Sequence, residues 1–376
     1  MSIVLLIVGI VLFTGLILVH EWGHFIVARR AGVEVEEFGL FFPPRLYKHK
    51  TKGGWLFSIN ALPIGGFVRL KGEHDSDTEP GTFGAASIWV KSKIMAAGVV
   101  MNLVTALVLL TILAAIGMPK LLPNQFTVKS DTTLSSQKVL IGYVEPDSPA
   151  QKAGLQPEDQ LDDISLPGYS PVSLSDANKL PAITKNFAGK SVIVYYTRAG
   201  HEKEARTTLR SAKTVAASQK TGNPKGYLGI SPTEFTLQRS TWSAPVVAAG
   251  LSAQITVLTF QGLGHALAGL GSLIAGGVTG NTVARQHGQT TATAQVGGPV
   301  AIFAIMKSGS LLGYQFMLFI IAIISLTLAI MNILPVPALD GGRLWITLIA
   351  RAFKKPLSAR LEEALNLAGF VVLITL

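Results

Sequence analysis

The chain has 376 residues, of which 49% are hydrophobic and only 14% are Asp, Glu, Lys or Arg, against roughly 25% charged residues in a typical soluble domain. So few charges cannot cover the chain in water, which excludes a purely soluble or disordered protein and makes lipid the solvent for much of it. With no cysteine, a disulfide framework, a thiolate metal site and a cysteine nucleophile are excluded, so any metal must sit on His, Asp or Glu. The net charge of +10 is the basic excess expected beside membrane spans rather than a nucleic-acid footprint.

In chain order, Met1 to His20 is uncharged and apolar, and it lacks the basic amino end and small-residue cleavage site of a signal peptide, so it reads as a permanent span. Phe38 to Lys48 and Trp55 to Lys71 read as strands set between Gly and Pro turns, with Phe57, Ile59, Phe67 and Val68 inside them. A connecting hairpin accounts for this pattern; so does a sheet edge at which an extended peptide could pair by strand addition. Ile94 to Pro119 reads as a second span. Ten Lys/Arg lie from Arg29 to Lys93 and five more follow the third span, which puts both loops in the cytoplasm and the amino terminus outside.

Lys120 to Arg239 is charged and alternating, with strands predicted over Val139 to Val144, Ser191 to Tyr196 and Gly226 to Ile230. Ser148 to Leu155 predicts a short helix with Pro149 in its first turn and Gly154 past its end. Ser211 to Lys225 reads as a loop. Ser240 to Ala284 is apolar but rich in Gly and Ala and holds His265; it is expected to lie at the outer interface as a helix, with an even number of crossings between Pro119 and Ser308. Ser308 to Leu339 reads as a third span, and Ala364 to Leu376 as the beginning of a fourth whose end is missing.

The fold class is therefore a polytopic α-helical membrane protein of about four transmembrane helices, with an inserted mixed α/β domain and a cytoplasmic, membrane-associated β-hairpin. The segments divide as residues 1–37 (first span), 38–93 (hairpin and loop), 94–118 (second span), 119–239 (extracytoplasmic domain), 240–307 (interfacial helix and Gly-rich loop), 308–343 (third span) and 344–376 (cytoplasmic loop and incomplete fourth span).

His20-Glu-Trp-Gly-His24 carries the chemistry. On a helix, two histidines four apart project from one face and can reach one zinc ion. Glu21 beside that face can take a proton from a metal-activated water and pass it to a leaving amine. Ionisable groups in an apolar span cost about 2.5 kcal/mol or more and are functional by default. A hydrolytic zinc site needs a third protein ligand and one open position. His49, His74, His201 and His287 lie in polar loops, and His265 alone among the others sits in an apolar stretch. The better third ligand is Asp340, in Asn332-Ile-Leu-Pro-Val-Pro-Ala-Leu-Asp-Gly-Gly-Arg343, although an Asp there could also cap the next helix. Two prolines break the helix before it and two glycines allow a close turn after it.

With both motifs in place, the chain resembles the site-2 proteases, intramembrane zinc metalloproteases, especially bacterial members with an extracytoplasmic PDZ domain. The histidine motif matches the family's zinc motif, and Asn332 to Gly342 matches its Asn-x-x-Pro-x-x-x-Leu-Asp-Gly signature. The resemblance implies His20, His24 and Asp340 as zinc ligands, Glu21 as general base and acid, and Asn332 as a substrate-positioning or transition-state contact. Ala97 to Asn102 matches a second-span element, with Val99 where some members carry Pro. Asn60 to Glu73, including Gly66, looks like the membrane-associated hairpin. Asn102, Asn60 and Gly66 join Asn332 as candidate substrate-positioning residues. Ile141 to Leu161 resembles a PDZ core, with Glu158-Asp159 in place of the usual Gly-Asp, and Gly297-Gly-Pro-Val300 matches a short element before the third span.

The implied activity is hydrolysis of a peptide bond in or near the span of single-pass membrane proteins, such as anti-sigma factors or signal-peptide remnants, at the plasma membrane. Two other classes fit less well. A non-catalytic membrane scaffold has no need of Glu21 beside two histidines. A metal transporter would carry acids or histidines on several spans, and Ile94 to Met118 has neither.

Overall fold

The structure is a computed structural model that describes residues 2–73, 77–219, 224–279, 281–283, 286, 299–310, 312–353 and 359–375. His74, His287, Gly297 and Gly298 lie outside the described residues. The chain divides into two compact units, one made of Met1–Leu6, Ile112–Val247 and Lys307–Met317, the other of Ile7–Thr111, Ala248–Met306 and Leu318–Leu376.

Among the described residues, four helices are long and apolar enough to cross a membrane: Ile3–Arg30, Ile88–Ile116, Ala244–Gly277 and Tyr314–Ile333. The first, α1 (Ser2–Arg30), runs without a break through the histidine motif, so His20 and His24 are interior helical residues rather than a cap on the apolar run. It stops where Gly32 adopts φ +79°, and Arg29 and Arg30 in its last turn complement the negative end of the helix dipole. The second span, α2 (Ile88–Ile116), starts six residues before the predicted Ile94, because Lys91 and Lys93 interrupt the uncharged run. Lys91 is nonetheless 1% exposed, its ammonium over the Phe83 ring at 5.6 Å.

The predicted hairpin is present as β1 (Val35–Lys50) and β2 (Leu56–Leu70). Both strands fold back, so Phe38, Gly39 and Leu40 pair with Phe57, Ser58 and Ile59 on one side and with Val68, Phe67 and Gly66 on the other, while residues 45–50 pair with 56–60. The result is a four-segment antiparallel sheet whose edges are residues 66–70 and 45–50. It is anchored by burial of Phe38 and Leu70 against Phe25, Phe83 and Ile94, with Phe25 and Trp55 rings edge-on at 4.8 Å. Buried Glu37 is neutralised by Arg45 at 2.8 Å and Arg69 at 3.4 Å.

Residues 118–239 form a seven-stranded sheet of β3 (Met118–Pro119), β4 (Thr133–Val144), β5 (Gln160–Ser165), β6 (Val172–Ser173), β7 (Ser191–Arg198), β8 (His201–Thr208) and β9 (Ile230–Arg239), in order β3-β9-β4-β5-β7-β8 with β6 on β5. The predicted short helix is α3 (Pro149–Lys152), with Ser148 as its N-cap accepting from the Gln151 N–H and Pro149 in its first turn. α4 (Leu180–Asn186) and the paired strands enclose Val139, Ile141, Leu161, Ile164, Val192 and Val194. Asp159, 1% exposed, holds Arg198 through two bonds of 2.6 and 2.7 Å, and that bonding raises the pKa of Arg198.

Four expectations are corrected. Ser211 to Lys225 contains α5 (Ala212–Gln219), opened by Ser211 Oγ accepting from the Thr214 N–H at 3.2 Å, an N-cap that the polar composition hid. The strand expected at Gly226 to Ile230 begins only at Ile230, because Gly229 turns at φ +77°. The third span expected over Ser308 to Leu339 is present but shorter, as α8 (Tyr314–Ile333): α7 (Pro299–Gly309) ends before it and Gly313 turns at φ +105° between them. The expected loop after residue 343 is instead α9 (Asp340–Ala352), followed by α10 (Ala359–Thr375). α10 has 17 residues, about 26 Å, and is not among the candidate spans. The stretch expected to lie at the interface is α6 (Ala244–Thr279), whose 36 residues extend about 54 Å, so its length suits a crossing as well as an interfacial course.

Two carboxylates near the sheet predict its acid sensitivity. Asp131 accepts from the backbone N–H groups of Thr241 and Ser243 at 2.8 and 3.1 Å and from both hydroxyls, which lowers its pKa to about 2. Arg210, 2.6 Å away, holds Glu145 below the usual carboxylate range. Depressed folded-state values stabilise above the unfolded values of about 4 and lose that contribution as pH falls through the folded ones. The melting temperature of the intact chain in detergent is expected to hold between pH 7 and 5 and to fall below that. Asp131→Asn and Glu145→Gln should each lower it at pH 7 and flatten its acid limb; unchanged slopes in both variants would exclude these two groups.

Candidate metal centre

Helical spacing places His20 and His24 one turn apart on α1, and both Nε2 atoms face Asp340, the first residue of α9. The separations are 2.9 Å from His20 Nε2 to Asp340 Oδ2, 3.2 Å from His24 Nε2 to the same oxygen, and 3.1 Å between the two Nε2 atoms. Among the described residues these three form the only cluster of His and acidic side chains able to hold one ion. Asp340 does not cap its helix: Leu339 is the N-cap residue and no side-chain capping bond is made.

The donor set suits a borderline cation. Bonds of about 2.0–2.1 Å in a tetrahedron put neighbouring donors about 3.3 Å apart, and the three observed edges lie within a few tenths of that. Two imidazole nitrogens and one carboxylate oxygen leave the fourth position for water or substrate. Asp340 keeps 30% of its side chain exposed, His20 and His24 only 11% and 12%, so the triad is closed on the histidine side and open beside the acid.

The far nitrogens are also held. His24 Nδ1 donates to the Ile94 carbonyl at 2.7 Å, and His20 Nδ1 lies 3.1 Å from the Asn102 carboxamide nitrogen. Gly98 lies between these contacts on α2. A Cβ there would stand 2.5 Å from His20 Cε1 and from His24 Nε2, so only glycine lets α2 pack flat against both rings. Ile94, Gly98 and Asn102 repeat at the four-residue spacing of the histidines. That periodicity was in the sequence, but neither an apolar residue's carbonyl nor a bare glycine stands out as a site residue.

Glu21 is half-buried beside the triad, with the Val68 backbone amide near its carboxylate. Gly66 sits on the same strand edge; a Cβ on it would lie 3.5 Å from Glu21 Cγ. Asn332 is near the end of α8, its carbonyl packed against Gly341 at the turn that carries Asp340. Asn102 is 1% exposed and lies behind His20 rather than on an open surface. The structure does not bring Asn60 to the histidines. It is 2% exposed inside the hairpin, donating to the Leu40 and Phe41 carbonyls and Ser58 Oγ at 3.1–3.3 Å. His49, His201 and His265 are exposed on β1, β8 and α6.

The whole arrangement falls within the match to the description "Peptidase family M50", which covers residues 8–376. The chain belongs to peptidase family M50, the site-2 proteases. It is 31% identical over 368 residues to a Nostoc sp. protein, covering 96% of this chain and 90% of that one. It is 30% identical over 372 residues to a Clostridium perfringens protein, covering 99% and 95%. A Clostridium acetobutylicum protein is 29% identical over 379 residues, covering 100% and 96%. All three carry names that propose a zinc metalloprotease.

The flat packing at Gly98 yields a direct test. Gly98→Ala should insert a methyl group among the ring atoms, push the helices or imidazoles apart, and lower bound zinc in the purified protein while leaving membrane insertion intact. Full zinc content in that variant would show that the rings tolerate the displacement.

Proposed function

We propose that the protein is an intramembrane zinc metalloprotease that hydrolyses a peptide bond in or near the transmembrane segment of single-pass membrane proteins. The observation that carries this reading is the convergence of His20 Nε2, His24 Nε2 and Asp340 Oδ2 within 3.2 Å, next to Glu21, on a helix apolar enough to span a membrane. His20, His24 and Asp340 would hold the ion. Zinc, when bound, supplies Lewis-acid activation of water near neutral pH and polarises the carbonyl under attack.

The rest is the work of this chain's own groups. Glu21, adjacent to the triad but not in it, takes a proton from the attacking water at its carboxylate and returns it to the leaving amide nitrogen. The substrate must first be opened, since every backbone group of a spanning helix is already paired. The edge strand beside Glu21 supports a way to hold it. The Leu70 N–H points away from β1 and donates to Glu73 at 2.9 Å, and the Val68 amide two residues before it lies near Glu21. In an antiparallel strand alternate residues face the same side, so Gly66, Val68 and Leu70 turn their backbone groups away from β1. An extended peptide added there would run past Glu21. Asn332, near the end of α8, is the remaining candidate for holding exposed backbone of the opened substrate.

The amino terminus and the sheet of residues 118–239, read as PDZ-like, would lie outside, with the zinc site near the cytoplasmic face of the plasma membrane. In this reading the domain selects which substrates enter and takes no part in the bond cleavage.

Binding and chemistry can be separated. Glu21→Gln should retain zinc while cleavage of a single-pass substrate by the purified protein falls by a factor of about 10⁴ or more, the upper end for a general acid–base group. His24→Ala and Asp340→Ala should lose metal and activity together, each removing one of three protein ligands. If Glu21→Gln loses zinc as fully as His24→Ala, Glu21 is a ligand and Asp340 must be reassigned. Near-normal cleavage by Glu21→Gln would mean the protein is not a hydrolase of this kind, and a membrane scaffold becomes the better reading.

A further inference from the structure

We infer that Asn102 is a positioning residue for His20: its carboxamide oxygen accepts the Nδ1–H of that imidazole and so keeps the Nε2 lone pair directed at the metal position. The inference rests on the metal reading of His20, His24 and Asp340. A neutral imidazole has one N–H and one lone pair, and the lone pair must face the ion. Because both Nε2 atoms converge on Asp340 Oδ2, both protons belong on Nδ1.

For His24 this is enforced by a group that can only accept, the Ile94 carbonyl at 2.7 Å. His20 Nδ1 faces the Asn102 carboxamide at 3.1 Å. A half-turn of the amide exchanges its oxygen and nitrogen, and opposite an N–H the oxygen is the end that bonds. Nothing else competes for that choice: the opposite end of the carboxamide is buried with no partner among the described residues. The Asn102 backbone is fixed independently, its carbonyl accepting from Ser325 Oγ at 2.8 Å. Two acceptors on one face of α2, at Ile94 and Asn102, thus serve two imidazoles at the same four-residue spacing, with Gly98 clearing the floor between them. At 1% exposure behind His20, Asn102 is out of reach of a peptide lying at the open side of the triad, so this role replaces the substrate contact expected from the sequence.

Zinc affinity of the purified full-length chain in detergent, measured by competition with a chelator, tests the assignment, with the melting temperature of the metal-free chain as the folding control. Losing a partner of this kind typically costs 10–100-fold in metal affinity. Asn102→Leu is expected to bind zinc about 10–100-fold more weakly, and Asn102→Asp, which keeps an acceptor opposite Nδ1, to bind at or near the wild-type level. Should Asn102→Leu fail to fold, Asn102→Ala takes its place in the comparison. A folded Leu or Ala variant with wild-type zinc affinity overturns the inference, as does an Asp variant as weak as the Leu variant, because a merely space-filling role would not distinguish them. A shift in substrate KM with zinc affinity unchanged would likewise overturn it and return Asn102 to the substrate. A wild-type chain that binds zinc no better than His24→Ala would instead remove the metal reading itself.

Discussion

Three polar atoms meet on a triangle with edges of about 3 Å, two of them on a helix apolar enough to cross a membrane, and the elements around them make that tolerable. An imidazole in an apolar span is costly unless each nitrogen has something to do. One nitrogen of each ring is turned to Asp340 and the other to α2, whose Ile94 carbonyl and Asn102 carboxamide stand where they are needed. The close approach of α2 explains why the motif can sit in the middle of a 29-residue helix without breaking it. The polarity is met by a neighbouring helix.

The acid of the triad is held from the opposite direction. Arg343, one turn after Asp340, reaches Glu362 on α10 at 3.2 Å and Glu73 after the hairpin at 3.5 Å, and its guanidinium lies 4.7 Å from the centre of the Phe83 ring. A planar cation with several donors can tie three elements at once, and here it joins α9, α10 and the loop beyond β2. Glu73 also takes the outward Leu70 N–H, so the ion-pair network that orients the Asp340 helix continues into the strand edge beside Glu21. The helix that carries Asp340 and the edge of β2 are therefore joined through Glu73.

Much of this was legible because the strongest signals are local. The histidine spacing, the Asp-Gly-Gly turn, the hairpin strands and the Ser148-Pro149 helix are each written in a few consecutive residues and are found where expected. What was missed depends on partners distant in sequence or on weak composition. The start of α2 does not show in the sequence because Lys91, charged there, is buried against Phe83. α5 was hidden in a polar stretch, and α9 is amphipathic and charged, so neither shows as an apolar run. Asn60 looked like a site residue because it stands in a motif near Gly66, but a carboxamide can as easily hold a folded-back strand, and only the pairing of β1 with both halves of β2 reveals that need.

The break between α8 and α9 brings Asp340 to the two histidines. Were α8 to continue as a helix, Asp340 would lie seven residues beyond Ile333, about 10 Å further along the axis. Pro335 and Pro337 deny the helix its donors, and Ala338 adopts φ +73°, a conformation costly for a residue with a side chain. The chain doubles back so tightly that a Cβ on Gly341 would collide with the Leu334 carbonyl and stand 2.7 Å from that of Asn332. Asp340 is thereby returned to the level of the end of α8, with its carboxylate free for the histidines because Leu339, not Asp340, occupies the capping position. The prolines, the strained alanine and the paired glycines thus serve one end: they convert a residue that would have extended the span into one that faces back toward α1.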